Sequence, residues 1–239
     1  MLNQIRVEDI MFLDIETVPQ EASFDQVSED LQKLWDKKST YFRTEEQSAE
    51  DVYQRAGIYA EFGKIVCISV GIVSHKNGHR MFRVKSFAGE DEAVLLQEFG
   101  QMLSAFAGDA KKNICGHNAR EFDFPYIARR MLIHGIKLPE ILDVAGKKPW
   151  EVKFLDTMDM WKFGDYKHYT SLNLLTTIFN IPSPKDDIDG SQVAHVFYEE
   201  KDVQRIAHYC EKDVLATAQL FLRFKGEPLL EAEMVERVF

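Results

Sequence analysis

Cysteine is scarce: Cys67, Cys115 and Cys210 are three in number, far apart, and form no CxxC pair. That supports neither a disulfide framework nor a cysteine zinc site, and makes a reducing cytoplasm the expected setting. Long apolar runs are also missing. None approaches the roughly 18 residues a membrane-spanning helix needs. The opening MLNQIRVEDIMFLDIE lacks the basic start and apolar core of a secretory signal. Positive charge is in deficit, with 29 Lys+Arg against 39 Asp+Glu and a net charge of -10. A broad footprint for duplex nucleic acid is therefore not expected. A local basic groove and a carboxylate-lined metal site both stay open. Internal repeats, Pro/Ser linkers and low-complexity tracts are absent as well. What is present is ordinary globular composition, 45% hydrophobic and 28% charged, which excludes a wholly disordered chain. A length of 239 residues fits one large domain, or one domain carrying an insertion.

Residues 10–15, IMFLDI, have strand length. Residues 64–74 and 80–87 flank Lys76-Asn77-Gly78-His79, and Asn-Gly is a strong hairpin signal. From Asp91 the period changes: Leu95, Phe99, Met102, Leu103 and Phe106 recur at threes and fours, as in a helix. Glu90, Asp91 and Glu92 stand where its dipole favours negative charge. Residues 113–116 read as a short strand, followed by a loop and a helix from about Phe124. A weaker strand is expected over 152–156, with helices over 171–180, 191–198 and 202–224. The pattern is α/β with a mixed sheet. Residues 20–60 are polar and helix-compatible and separate the first strand from the second. They read as a helical insertion, either a solvated cap over the sheet or a mobile flap near an active site.

Three segments carry chemistry. In Phe12-Leu13-Asp14-Ile15-Glu16-Thr17, strand alternation points Asp14 and Glu16 the same way. Two carboxylates held together repel unless a proton or cation intervenes, and Mg2+ or Mn2+ suits oxygen ligands. As a lone pair they are as readily a surface feature. In Gly116-His117-Asn118-Ala119-Arg120-Glu121-Phe122-Asp123-Phe124-Pro125 a polar loop opens a helix. There Asp123 alone reads as an N-cap, His117 as a loop hydrogen-bonding residue, and Asn118 as a substrate contact or a bond within the loop. In Tyr209-Cys210-Glu211-Lys212-Asp213, a buried stripe of Val203, Ile206, Cys210, Val214, Ala218 and Phe221 marks a long helix. Tyr209 and Asp213 lie about 40° apart on it.

Taken together, FLDIET, GHNxxxFDFP and YCEKD resemble the three motifs of the DEDDy-type 3′–5′ exonucleases. The likeness is specifically to the bacterial family related to the proofreading exonuclease domain of family-B DNA polymerases, and extends from about Met11 to Arg223. It implies a ribonuclease H-like fold, a five-stranded mixed sheet flanked by helices, with residues 1–239 as a single 3′–5′ exonuclease domain. Carried over by position, the metal ligands match Asp14, Glu16, Asp123 and Asp213, and the catalytic tyrosine matches Tyr209. Thr17 and Asn118 match positions near the 3′ nucleotide. The resemblance implies two divalent cations, Mg2+ or Mn2+, and hydrolysis of single-stranded 3′ ends, DNA in the first place and RNA as the alternative. It names no protein partner and no membrane. The sister histidine branch places its histidine five residues before the last Asp, which His208 satisfies. In that branch the histidine precedes the helix. Within a helix begun by Val203, His208 lies about 140° from Asp213, which favours Tyr209.

Other features have plainer readings. Phe122 and Phe124 read as core, with Phe122 the one placed to stack a terminal base. Asp156 reads as a helix cap. Asp186-Asp187-Ile188-Asp189-Gly190 cannot be a calcium loop, because Lys185 and Val196 would fall at ligand positions; it reads as a turn capped by Asp189 or Ser191. Lys111-Lys112, Arg129-Arg130 and Lys147-Lys148 read as solvated surface. Two alternative functions stand beside the exonuclease: a ribonuclease H-like module that binds nucleic acid without cutting it, and a two-metal phosphoesterase acting on small nucleotides.

Overall fold

Alternation along the first strand, β1 (Ile10–Pro19), decides the layering. Met11, Leu13 and Ile15 enter one buried cluster, with Leu95, Leu96 and Phe99 of α2 (Glu92–Phe106) and Phe124 and Ile127 of α3 (Asp123–Ile133). Ile10 and Phe12 enter another, with Val214, Ala218 and Phe221 of α7 (Val203–Lys225). Val18 returns to that side beside Ile206 and Cys210. Asp14 and Glu16 therefore interrupt an otherwise apolar stripe facing α7. The computed structural model describes residues 2–165, 169–182 and 188–238.

β2 (Gly63–Lys76) pairs antiparallel with β1, and β3 (His79–Ala88) with β2. The β2–β3 turn has positive φ at both Asn77 (53°) and Gly78 (82°), the geometry that Asn-Gly favours in two-residue hairpins. β4 (Asn113–Gly116) runs parallel to β1, and β5 (Phe154–Asp156) parallel to β4. The order is β5-β4-β1-β2-β3-β6. The sixth strand, β6 (Val235–Arg237), runs parallel to β3 and enlarges the five-stranded expectation to six. Three residues are too few to show alternation, so that edge was invisible in the sequence.

The β1–β2 register slips between Glu16 and Thr17, whose partners are Cys67 and Ile65. Val66 is the extra residue of a bulge. Val66 and Cys67 consequently both face the α7 side, while Ile65 and Ile68 face the other.

The helices fall close to expectation. Asp91 caps α2, accepting from the Val94 amide at 3.1 Å. α4 spans Thr157–Lys162 and α5 Leu172–Ile178. The 191–198 helix is a short α6 (Val193–His195) continued by a π-turn over Val196–Glu200. In α7, Asp202 caps the start by accepting from Arg205 N, and Gly226 closes the end at φ 69°. Among the described residues no helix is long and apolar enough to cross a membrane.

Residues 20–60 are less helical than expected. They hold one α-helix, α1 (Glu29–Ser39), and 3₁₀ turns at Phe24–Gln26 and Tyr53–Ile58. Their coherence comes from a small core of their own around the buried Trp35, with Val27, Val52, Tyr53 and Ala56. The Trp35 indole donates to Ala49 O at 2.9 Å.

One surface reading is overturned. Arg130 is buried, and its guanidinium clasps Glu92 and donates to Ala60 O at 2.9 Å. Paired burial is the usual condition for an arginine inside. The 186–190 turn lies partly outside the described residues. Within them, Asp189 accepts from the Ser191 amide at 2.8 Å, the expected cap.

Candidate active site

The parallel strands β1 and β4 pair only from Ile10 to Phe12. Beyond Phe12, the β4-side edge of β1 has no strand partner among the described residues, and the loop after β4 brings α3 against it. The Ile15 amide finds its acceptor in Asp123 Oδ1 at 3.1 Å. A residue that alone reads as a helix cap thus bonds the neighbouring strand, carrying the first turn of α3 to the carboxyl end of β1.

The intervening loop is held from below. Gly116 admits it because a side chain there would meet the Ala119 Cβ at 2.4 Å. Asn118 takes a left-handed conformation, φ 61°. Asp156 accepts from the amides of Asn118 (2.9 Å), Arg120 (3.0 Å) and Met158 (2.9 Å). It is therefore the helix cap expected and also the anchor of this loop. His117 is spent on structure: Nδ1 lies 2.9 Å from Thr157 Oγ1 and Nε2 2.8 Å from Thr170 O. Burial holds its pKa below the usual imidazole value. Among the described residues, the side-chain oxygen of Asn118 is buried without a hydrogen-bond partner, a state that native structures rarely leave unmet.

Four carboxylates interact at this end of the sheet. Burial, then the charges of Asp123, Glu16 and Asp213, pushes the Asp14 carboxyl well above its ordinary value. Burial, then Asp213, does the same for Glu16. Asp123 is pushed up to about 7, again first by burial and against the opposing effect of backbone hydrogen bonds. Asp213 reaches the group from α7. Cys210, one turn earlier on that helix, packs against β1. Its thiol is 3.3 Å from the Asp14 carbonyl oxygen and 3.4 Å from Asp14 Oδ2. Single ligand atoms from Asp14, Glu16 and Cys210 all lie within 4.8 Å of one another.

The donor set fits a hard divalent cation. Its oxygens are those such ions prefer, and the mutual repulsion of the carboxylates is the cost that a cation would remove.

The remaining sequence candidates separate. Tyr209 is half-buried and packs against the cluster of Val18, Cys67 and Ile206. His208 is exposed, with Nδ1 3.8 Å from Glu211. Because α7 begins at Val203, both residues are inside the helix. Thr17 stands beside the Tyr126 hydroxyl and acts to lower its pKa against the larger effect of burial; that hydroxyl donates to Gly57 O at 2.8 Å. Phe122 is half-buried against the α2–α3 core with its ring 5.4 Å from that of Tyr126; Phe124 is fully core.

Two residues at the site went unread. Cys210 was read only as core, although its place between Tyr209 and Asp213 was the available signal. Tyr169 is exposed, yet its phenol is raised by partial burial and then by Asp123, Asp14 and Asp213, which sets it at the rim. No pattern in the sequence marks it.

A family model described as a predicted 3′-5′ exonuclease related to the exonuclease domain of PolB matches residues 58–236. That stretch includes Asp123, Tyr209 and Asp213; Asp14 and Glu16 precede it.

Proposed function

The chain belongs to this family of predicted 3′-5′ exonucleases, and on that footing we propose that it removes nucleotides from the 3′ end of single-stranded nucleic acid, DNA in the first place. The observation that carries the reading is the convergence of Asp14, Glu16, Asp123 and Asp213, each raising or raised by others of the set. The whole chain acts as one exonuclease domain, with residues 20–60 built onto the end of β1. Exonuclease domains of this kind depend on divalent metal; the reading here is two ions, Mg2+ or Mn2+.

Asp14, Glu16, Asp123 and Asp213 would hold the ions. When bound, divalent cations supply a nucleophilic hydroxide at neutral pH and neutralise charge developing on the phosphate. The protein's own part is positional. Asp123 is held to β1 through Ile15, so two carboxylate-bearing elements keep a fixed spacing. Tyr209 Oη orients the attacking water by a hydrogen bond. Asn118 offers its unmet side-chain oxygen to the terminal nucleotide, and Thr17 and Phe122 line the approach. A module that binds without cutting would leave the same carboxylates unneutralised beside phosphates. Three buried, unpaired cysteines accord with a reducing, cytoplasmic setting.

The test is digestion of 5′-labelled single-stranded DNA and RNA in Mg2+, Mn2+ or EDTA. A ladder shortening from the 3′ end with metal, and intact substrate in EDTA, is expected. Internal first cuts, or equal cleavage in EDTA, would overturn the proposal.

A further inference from the structure

Asp14 is surrounded by groups that disfavour its ionised form. Burial and the charges of Asp123, Glu16 and Asp213 all act in that direction. Against them stands one side-chain hydrogen bond, from Cys210. The thiol is fully buried. It points at the strand rather than into the apolar layer, 3.3 Å from the Asp14 carbonyl oxygen and 3.4 Å from Oδ2. It shares a buried cluster with Cys67, whose backbone pairs with Glu16 beside the bulge and whose sulfur lies 3.5 Å from Ser69 Oγ.

We propose that Cys210 is a positioning residue of the exonuclease centre, its single Sγ–H shared between the Asp14 carbonyl and carboxylate oxygens and so holding the carboxylate in the rotamer that receives the cation. The inference rests on Asp14 being a cation ligand, as in the function proposed above. The chemistry is that of partners behind a ligand. A carboxylate with two rotatable bonds loses affinity when free to turn, and a donor behind it fixes the direction of the oxygen left for the metal. The thiol is suited to this place. It packs as a small apolar group in a helix stripe, yet carries one hydrogen-bond donor where a lysine or arginine would itself neutralise Asp14 and compete with the cation. Its position also matters for the motif. Cys210 lies between Tyr209 and Asp213 on α7, so the same contact registers the helix against β1.

The test compares Cys210→Ala, which removes the donor, with Cys210→Ser, which keeps one, in the full chain. Mn2+ affinity is read by electron paramagnetic resonance and calorimetry without nucleic acid, and folding by thermal melting. Loss of one hydrogen bond to a charged group, discounted for a weak thiol donor, corresponds to about fivefold in affinity. Cys210→Ala is expected to bind Mn2+ about fivefold more weakly, and Cys210→Ser within about twofold of the parent. Unchanged affinity in Cys210→Ala overturns the proposal. Equal weakening in both variants does so too, because packing rather than the donor would then be responsible. If either variant melts far below the parent, Cys67→Ala in the same assay is the packing control, expected to keep Mn2+ affinity within about twofold; a fall matching that of Cys210→Ala also overturns it. None of these readouts needs nuclease activity. Mn2+ binding without strand cleavage would count against the function proposed above and leave the role of Cys210 standing.

Discussion

Ile15 and Asp123 are 108 positions apart in the chain and joined by one hydrogen bond of 3.1 Å, from the strand amide to the carboxylate. Through it, β1, which carries Asp14 and Glu16, and α3 keep a fixed spacing, and the third acid needs no cap of its own helix to stay in place.

The raised carboxyl of Asp123 gives a pH test. Its proton is held in the folded chain up to about pH 7 but released near pH 4 when unfolded. The associated stability is complete below that lower value and lost as pH rises through about 7. In EDTA, the melting temperature of the parent should therefore fall relative to Asp123→Asn between acidic and alkaline buffers. Saturating Mn2+ should recover it, because a ligand bound only by the folded chain stabilises it. A difference between the two proteins that stays constant with pH would contradict the raised value.

Asp14→Asn keeps shape and removes charge. Turnover should drop at least about 100-fold, the lower range for a group acting directly on the reaction. Affinity for single-stranded DNA in EDTA should hold or improve, since one repelling charge is gone. Measuring both on one folded preparation decides it: near-normal turnover at low Mg2+ would reopen the whole acidic assignment.

Tyr209 and His208 are separable by paired variants. Tyr209→Phe loses only a hydroxyl and should slow turnover by about tenfold or more, the rate equivalent of one lost hydrogen bond, with Mn2+ affinity retained. His208→Ala, at an exposed position beside Glu211, should stay within about twofold. The reverse ranking would assign the centre to the histidine branch.

Arg130→Met should be strongly destabilising although it lies away from the four acids of the site. Glu92 would remain buried, still bonded by the Ile65 amide at 2.7 Å and with His134 Nε2 2.7 Å from Oε2, but without its guanidinium. Breaking a buried pair from one side costs about 3–5 kcal/mol. Combining it with Glu92→Gln should return much of that in urea denaturation. Additive losses would show that the two side chains do not act as a pair.

The sequence was most readable where periodicity is strict. Alternation placed Asp14 and Glu16 on one face, the Asn77-Gly78 turn sat where its residues demand, and the Ile206–Cys210–Val214 stripe marked α7. It was least readable where tertiary partners decide. Glu92 reads as a dipole-favoured acid and Arg130 as solvated charge; only their meeting, 38 residues apart, explains the burial of both. Residues 20–60 looked helical because polar, charged composition favours helix on average, but Trp35 gathers turns around itself as readily as helices. β6 was too short to carry a period. In the site itself, Tyr169 joins the carboxylates by spatial approach alone, and Cys210 matched a core position so well that its second face went unseen.

The acidic groups come from positions 14, 16, 123 and 213, and the last of them joins only when α7 docks across the sheet. In chain order, β1, the hairpin and α3 supply Asp14, Glu16 and Asp123 and still lack the last acid and the tyrosine beside it. A chain ending before α7 would therefore carry three of the four acids and neither Asp213 nor Tyr209.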